Sequence, residues 1–372
     1  MNCIANEEKK IRVDADYLRK FTEDVFVALK VPKKDAKIIS DVLITSDLKG
    51  IETHGIQRLK MYYDRIKKGI YNPKTKIEII KDTPTTAVLD GNCGMGHVIA
   101  YKAMKMAIKK AKKYGLGAVA VKNSTHFGIA GYYSQMAIEE GMIGLTTTNA
   151  TPAVPPTNSV EPLLGTNPLT AGVPSDEDFP FLLDCATSII QKGKLEIFKR
   201  ENKKIPTGLV INDKGLNETD PGKILENINN KTAALLPLGS IGGNSASYKG
   251  YGYSTLVEIL SSALQNGVSL KETAGIVEDG KKRLKVGHFF LVMDIEYFLP
   301  VKQFKKNVGN IMRELRNAKK APNKKRIYTA GEKEYEEYLE NSKEGILINR
   351  SIQKDIKVIQ EELNLNGYQF SF

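Results

Sequence analysis

The sequence predicts an α/β protein, on three observations. Residues 1–70 carry apolar positions at helical spacing. Between about residues 76 and 294, short alternating or apolar runs interchange with amphipathic helical stretches. Residues 302–320 and 333–363 return to a helical pattern. A chain of 372 residues has room for two domains, or for one large domain with an appendage.

The elements follow in order. Tyr17, Phe21, Val25, Phe26 and Leu29 form one apolar stripe, Val31-Pro32 interrupts it, and Ala36, Ile39, Val42, Leu43 and Ser46 continue as a second stripe toward His54. Alternation over 76–81 and 86–90 predicts strands. A basic amphipathic helix over 100–113 ends at Gly115. A buried strand follows at 118–122, a helix at 131–140 and a threonine-rich strand at 143–148. Residues 149–174 are rich in proline, threonine, asparagine and serine. They predict a long irregular segment, of a kind more often functional than idle. Strands are expected near 179–184, 209–212 and 286–294, helices over 251–264 and 302–320, and polar helices around a loop over 333–363.

Hydrophobic content of 41% and charged content of 26% describe an ordinary globular protein. The three cysteines, Cys3, Cys93 and Cys185, are odd in number and far apart. That argues against a disulfide framework and for a reducing compartment. The first residues lack the basic-then-apolar order of a signal peptide, and no apolar run approaches the roughly 20 residues that span a bilayer. The expectation is a soluble cytoplasmic protein with no membrane partner. Much of the net charge of +12 sits in pairs such as Lys109-Lys110, Lys112-Lys113 and Lys324-Lys325, with Arg326 following; these read first as solvated helix faces, and alternatively as a positive field that gathers small anions such as dinucleotides and carboxylates. Nucleic-acid binding would want a basic stripe with interleaved aromatics, which is missing.

Three glycine patterns imitate phosphate loops. Gly115-Leu116-Gly117-Ala118-Val119-Ala120 runs from helix to strand, the reverse of a dinucleotide fingerprint. The stretch from Gly275 to Lys282 lacks the hydroxyl that would hold magnesium. Gly91-Asn92-Cys93-Gly94-Met95-Gly96 follows a strand and opens a helix; it reads as a turn whose backbone amides could still carry a phosphate. No motif supports a standard Rossmann domain.

The candidate chemistry lies elsewhere. In Thr53-His54-Gly55-Ile56-Gln57-Arg58-Leu59-Lys60-Met61-Tyr62, a continuous helix would place His54, Arg58 and Tyr62 on one face. A proton-transfer group, a planar cation and a phenol there suit an anionic 2-oxo or 2-hydroxy acid. His126 lies in Asn123-Ser124-Thr125-His126-Phe127-Gly128, after an apolar strand and before a helix. Gly165-Thr166-Asn167-Pro168, Asp184-Cys185-Ala186-Thr187-Ser188 and Tyr248-Lys249-Gly250-Tyr251-Gly252 complete the set. The last places a lysine and glycines at a helix start, suited to phosphate. His97 and His288 read as structural, and no pair among His54, His126, His288 and Cys185 has the close spacing of metal ligands.

Taken in order, these segments resemble the malate/L-lactate dehydrogenase family that lacks the Rossmann fold, whose relatives include sulfolactate and ureidoglycolate dehydrogenases, diketogulonate reductase and cyclic-imine carboxylate reductases. The family patterns Asp-Ser-His-Gly-x-x-Arg, Asn-x-His-Phe-Gly, Gly-Thr-Asn-Pro, Asp-Met-Ala-Thr-Ser and His-Lys-Gly-Tyr-Gly all have counterparts. Val286-Gly287-His288-Phe289-Phe290 and Gly331-Glu332 match two further stretches. The resemblance covers roughly residues 12 to 340. It implies a mostly antiparallel mixed sheet flanked by helices (1–75 with 300–372 forming a helical substrate and dimerisation domain, 76–299 binding NAD(P)) in a homodimer. It implies reversible hydride transfer between NAD, or NADP, and a 2-hydroxy acid, with malate and oxaloacetate foremost and lactate, sulfolactate, ureidoglycolate or a cyclic imine carboxylate as alternatives.

By the same resemblance His54 moves the proton, since an imidazole near its ordinary pKa of roughly 6.5 can both give and take one at neutral pH. His126 is the rival for that role, and Asp184 orients the histidine or touches the cofactor. Arg58 holds the substrate carboxylate, with Thr53, Tyr62 and Thr166 beside it. Ala150, Asp184, Cys185, Ala186, Thr187, Ser188, Lys249, Gly331 and Glu332 are the implied cofactor contacts. There are departures: Glu52-Thr53 replaces Asp-Ser, Tyr248 replaces a histidine, Ala330 replaces a proline, and residues 240–247 make a polar, flexible loop. A non-catalytic anion- or nucleic-acid-binding protein is the alternative of another class. The intact set of His54, Arg58, His126 and Asp184 argues against it.

Overall fold

The computed structural model describes residues 10–240, 246–278 and 280–372. The chain divides into two compact units, one built from residues up to Lys74 with Glu332–Phe372, the other from Thr75–Gly331.

In the terminal unit, the Asp14 carboxylate caps the helix Ala15–Ala28 by accepting the Tyr17 N–H at 2.8 Å. Leu18, Phe21, Val25 and Phe26 are buried, and the helix packs against its successor, Lys33–Leu48. Pro32 precedes that second helix, where its missing N–H is harmless. Of the two apolar stripes only Tyr17 and Leu29 lie off the helical core as drawn: Tyr17 stays partly exposed and its hydroxyl donates to the Gln369 carbonyl, while Leu29 follows the helix end. The far end of the chain returns here. Ile346–Ile348 pairs antiparallel with Ile11–Val13, Ile11 lying opposite Ile348. The loop expected within 333–363 is therefore a strand, set between the helices Glu332–Glu344 and Arg350–Glu362. Its partner lies at the other end of the chain, so no local pattern announces it.

The larger unit is built on a seven-stranded mixed sheet. Its order is Glu78–Asp82, Thr86–Asp90, Leu116–Ser124, Val286–Asp294, Met142–Thr148, Leu169–Val173, Phe181–Cys185. Thr86–Asp90 and Leu116–Ser124 run parallel, joined by the crossover helix Gly96–Tyr114, and the other neighbours are antiparallel. Helices cover both faces. Thr146 and Thr147 point to opposite sides. The Thr146 hydroxyl bonds Ser134 of the helix Ala130–Glu139, and that of Thr147 bonds Ser261 of the helix Ser247–Ser261, each at 3.0 Å.

Several expectations change. Residues 149–174 are not wholly irregular, because Leu169–Val173 is an inner strand of the sheet. The helices Lys192–Arg200 and Pro221–Asn229 build a second small core around Val154, Leu164, Leu195, Val210 and Leu235. Val301–Asn317 belongs to the larger unit, so the division falls at Gly331 and not at residue 300. The Lys305 carbonyl accepts the Asp176 N–H there, and Arg313 and Arg316 pair with Asp176 and Glu177.

The glycine patterns have structural causes. Gly115 ends its helix at φ 81°, and a Cβ on Gly117 would overlap the Ala107 carbonyl, so both serve helix–strand packing. In the 91–96 loop every backbone N–H has an internal acceptor. Gly91 donates to Lys122 O, Asn92 to Asp90 Oδ1, Cys93 to Asn123 O, Gly94 to Gly91 O, Met95 to Thr75 Oγ1 and Gly96 to Thr125 Oγ1. No amide there is left to hold a phosphate; the loop braces the strand that leads to His126.

Candidate active site

The stretch from Thr53 to Tyr62 is not one helix. Glu52–His54 and Ile56–Arg58 are separate 3-10 turns, and the α-helix begins at Leu59. The single-face arrangement of His54, Arg58 and Tyr62 is thereby corrected. Tyr62 is fully buried, its ring 6.3 Å from Phe26 and 6.4 Å from Tyr71. The break has a cause in the helix beneath. The buried Asp47 carboxylate accepts the Ile56 N–H at 2.7 Å, and a Cβ on Gly55 would overlap it. Only glycine lets the backbone pass this close.

Thr53 links His54 and Arg58. Its hydroxyl lies 2.8 Å from His54 Nδ1, and its carbonyl accepts from Arg58 Nε at 2.7 Å. The hydroxyl shared with the serine of the family pattern is thus in use. Burial first, and then the Arg58 charge, lower the His54 pKa to about 4. The imidazole is neutral at pH 7, not poised at its ordinary value. Burial, with Glu52 adding to it, pushes the Asp47 carboxyl well up against the opposing Ile56 N–H.

In the larger unit His126 sits between the buried residues Thr125 and Phe127. Its Nδ1 accepts the Gly128 N–H at 3.4 Å. Phe127 stacks on His288 at 4.4 Å, and His288 bridges Ser124 at 2.6 Å and Thr148 at 2.8 Å. Burial lowers the His288 pKa to about 3, so it is a neutral brace under the His126 loop. Asp184 accepts the Gly131 N–H and the Thr170 hydroxyl, each at 2.7 Å, which fixes the helix start just after His126.

The expected cofactor segments of this unit form one connected patch. Ala150 N–H donates to Asn167 Oδ1 at 3.1 Å, and Thr187 N–H donates to Thr166 O at 3.0 Å. Leu238 N–H in turn donates to Thr187 O, and a Cβ on Gly250 would overlap Leu238, so the first turn of Ser247–Ser261 lies close by. Gly331, at φ 92°, passes beside Pro180 and Leu182 at the sheet edge. Glu332 begins the terminal unit and is buried. Two assignments need adjusting. The Thr187 hydroxyl donates to the Thr166 and Asn167 carbonyls and that of Ser188 to Ile190 O, so both donate inward. Cys185 is half-buried beside Leu169, Ala186 is buried, and Lys249 stands exposed at the helix start. Of the loop at 240–247, residues 241–245 lie outside the described residues.

The model of the malate/L-lactate dehydrogenase family matches residues 13–357. The chain belongs to that family. It is therefore a dehydrogenase of hydroxy acids, and its chemistry calls for a nicotinamide cofactor. The dehydrogenase is 44% identical to the malate dehydrogenase of Pyrococcus horikoshii, over 97% of this chain and 98% of that one. It is 38% identical to the L-sulfolactate dehydrogenase of Methanocaldococcus jannaschii, over 94% and 96%. The crystal structure of malate dehydrogenase from Entamoeba histolytica superposes with a TM-score of 0.93 at 44% identity, covering 98% of this chain and all of that one. A dinucleotide fits the donor set of the dehydrogenase: an exposed Lys249 in the opening turn of a 15-residue helix suits a pyrophosphate, and the half-buried Thr166 lies in the same patch.

The sequence reading passed over Asp47, Asn149, Asn167 and Glu258. A signal existed for the last: in Leu256-Val257-Glu258-Ile259-Leu260 a lone carboxylate interrupts an apolar run.

Proposed function

We propose that this protein is an NAD-dependent malate dehydrogenase interconverting malate and oxaloacetate. The full-length identity of 44% to a protein named malate dehydrogenase carries the substrate. The Thr53-linked pair of His54 and Arg58 carries the chemistry. Hydride is given to, or taken from, the carbon bearing the substrate oxygen by the nicotinamide when it is bound. His54, neutral and held through Nδ1 by Thr53, takes the hydroxyl proton in oxidation and returns it in reduction. Arg58 binds the substrate carboxylate through its guanidinium fork. His126 orients the substrate, on a loop stiffened by His288. Ala150, Thr166, Lys249 and Gly331 shape the dinucleotide site, with Asp184 and the backbone of 185–188 forming its floor.

The protein is further proposed to be cytoplasmic and homodimeric. Cys93 and Cys185 are free thiols. Tyr248, Leu256 and Ile259 form an exposed apolar stripe along one helix, supporting a second copy as its cover. The test is NADH and NADPH oxidation with oxaloacetate, pyruvate, sulfopyruvate and a cyclic imine acid. Oxaloacetate with NADH should turn over fastest. Preference for sulfopyruvate would replace the substrate, and preference for NADPH the cofactor.

A further inference from the structure

Glu258 is a buried carboxylate to which no role has been given. It lies on the helix Ser247–Ser261 and faces the chain from inside the larger unit. Its Oε1 accepts from Asn149 Nδ2 at 3.1 Å and from the Leu270 N–H at 2.9 Å; its Oε2 accepts from Asn167 Nδ2 at 2.9 Å. The two asparagines cannot be turned over. Asn149 Oδ1 accepts the Gly287 N–H at 2.8 Å, and Asn167 Oδ1 accepts the Ala150 N–H at 3.1 Å. Each amide nitrogen must then donate. The second hydrogens are used as well, toward Val268 O and Ser254 O, each at 3.1 Å.

Counting donors decides what can stand at position 258. Three N–H groups converge on two oxygens, so the group must accept at both ends and donate at neither. A carboxylate does this; a carboxamide of the same shape does not. Among the described residues no salt bridge neutralises it, and the N–H groups alone compensate its burial. What the network holds is specific. Through Asn167 it fixes the Ala150 N–H, while Thr273 donates to the Ala150 carbonyl at 3.0 Å. Through the Asn167 backbone it reaches the Thr187 hydroxyl, which bonds the Thr166 and Asn167 carbonyls.

We propose that Glu258 is a positioning residue for the dinucleotide site, acting through Asn149 and Asn167 to fix Ala150 and Thr166. The inference rests on the assignment of Ala150, Thr166 and Lys249 to that site. In Glu258→Gln the new amide nitrogen must face either Asn167 Nδ2 or the pair from Asn149 and Leu270, donor against donor. The network must open on one side, and the surface beyond it shifts.

The experiment measures NADH and NAD⁺ binding to purified full-length Glu258→Gln by calorimetry. Thermal melting and the oxo-acid KM at saturating dinucleotide are measured alongside. The expected result is dinucleotide Kd raised about tenfold or more, with the oxo-acid KM within about threefold of the parent, in a protein that still melts cooperatively. A folded variant with a lowered Tm and an unchanged Kd would overturn the proposal and leave Glu258 a purely structural group. Should Glu258→Gln fail to fold, Asn167→Ser, which cuts the same link at its far end, carries the same expectation and the same refutation. Lys249→Ala separates the two layers of argument. Weakened dinucleotide binding there with unchanged binding in Glu258→Gln overturns only the positioning role. Unchanged binding in both overturns the site assignment together with it.

Discussion

Around His54 the supports come from nearby in the chain, and around Ala150 they come from far away. Thr53 is the immediate neighbour of His54, and the carboxylate under Gly55 bonds an amide only 9 residues along. Asn149 and Asn167, by contrast, meet Glu258 across separations of 109 and 91 residues. A local brace can fail without disturbing the rest of its unit. A long-range lattice ties several segments together, so damage to it alters binding and stability at once. The contrast predicts two classes of variant: chemistry lost with the fold intact, and binding and folding loosened with the chemistry intact.

The largest effect should come from His54→Ala. Turnover is expected to fall by about 10²–10⁴-fold, the usual contribution of a positioned acid or base, while calorimetric NADH affinity stays at the parent value. An active His54→Ala enzyme would pass the proton role to His126. Next comes Gly55→Ala, whose Cβ meets the Asp47 carboxylate. Displacing the turn should lower kcat/KM by about 10²-fold, since small misplacements of reacting groups are costly. If dinucleotide binding weakened as much as turnover did, the local character of this brace would be disproved.

Acid should act on both regions. His97 and His288 have folded pKa values of about 3, and His54 about 4, all lowered first by burial from 6.5. Depressed pKa values mean that the unfolded chain binds the protons first. The stability these groups contribute is present above pH 6.5 and lost as pH falls toward 3. Asp47 has the opposite sign: its raised pKa favours the folded state at low pH, and that stability is lost as pH rises through the folded value. Melting curves from pH 8 down to pH 4 should show Tm falling with acid. A flat profile would contradict the neutral state of these histidines. In the oxidation direction, the acid limb of kcat/KM should lie below pH 6.5, toward 4. The smallest effect is expected from Thr187→Val. Losing a buried hydroxyl that donates to two carbonyls should cost about 1 kcal/mol of stability, read by denaturant unfolding, with kcat preserved.

How much of this was legible in the sequence follows the same division. The helical stripes around Phe21 and Leu43 and the strand at Val286–Asp294 could be placed because each carries its own period. The segment 169–173 could not, since its alternation is short and follows a proline-rich stretch. Ile11–Val13 depends on a partner more than 300 residues away. His54, Arg58 and Thr53 stood out as residue types in a tight pattern, and their mutual contacts are local. The single face expected for His54, Arg58 and Tyr62 was misjudged because the obstacle, Asp47, lies on another helix. Asn167 sat within a quoted motif, yet its amide nitrogen donates to a carboxylate that no local pattern could pair with it.

The pairing of Ile11–Val13 with Ile346–Ile348 also bears on how the molecule is made. A ribosome delivers the chain from its first residue onward. The segment bearing His54 emerges before residues Thr75–Gly331, and the strand that closes its unit emerges after them. Residues Thr75–Gly331 are contiguous and complete before synthesis ends, so they can fold while the chain is still growing. The unit that carries His54 must wait until residues 346–348 have emerged. A chain cut before residue 346 would then lack the strand that pairs with Ile11–Val13, and the frame around His54 would stay unfinished.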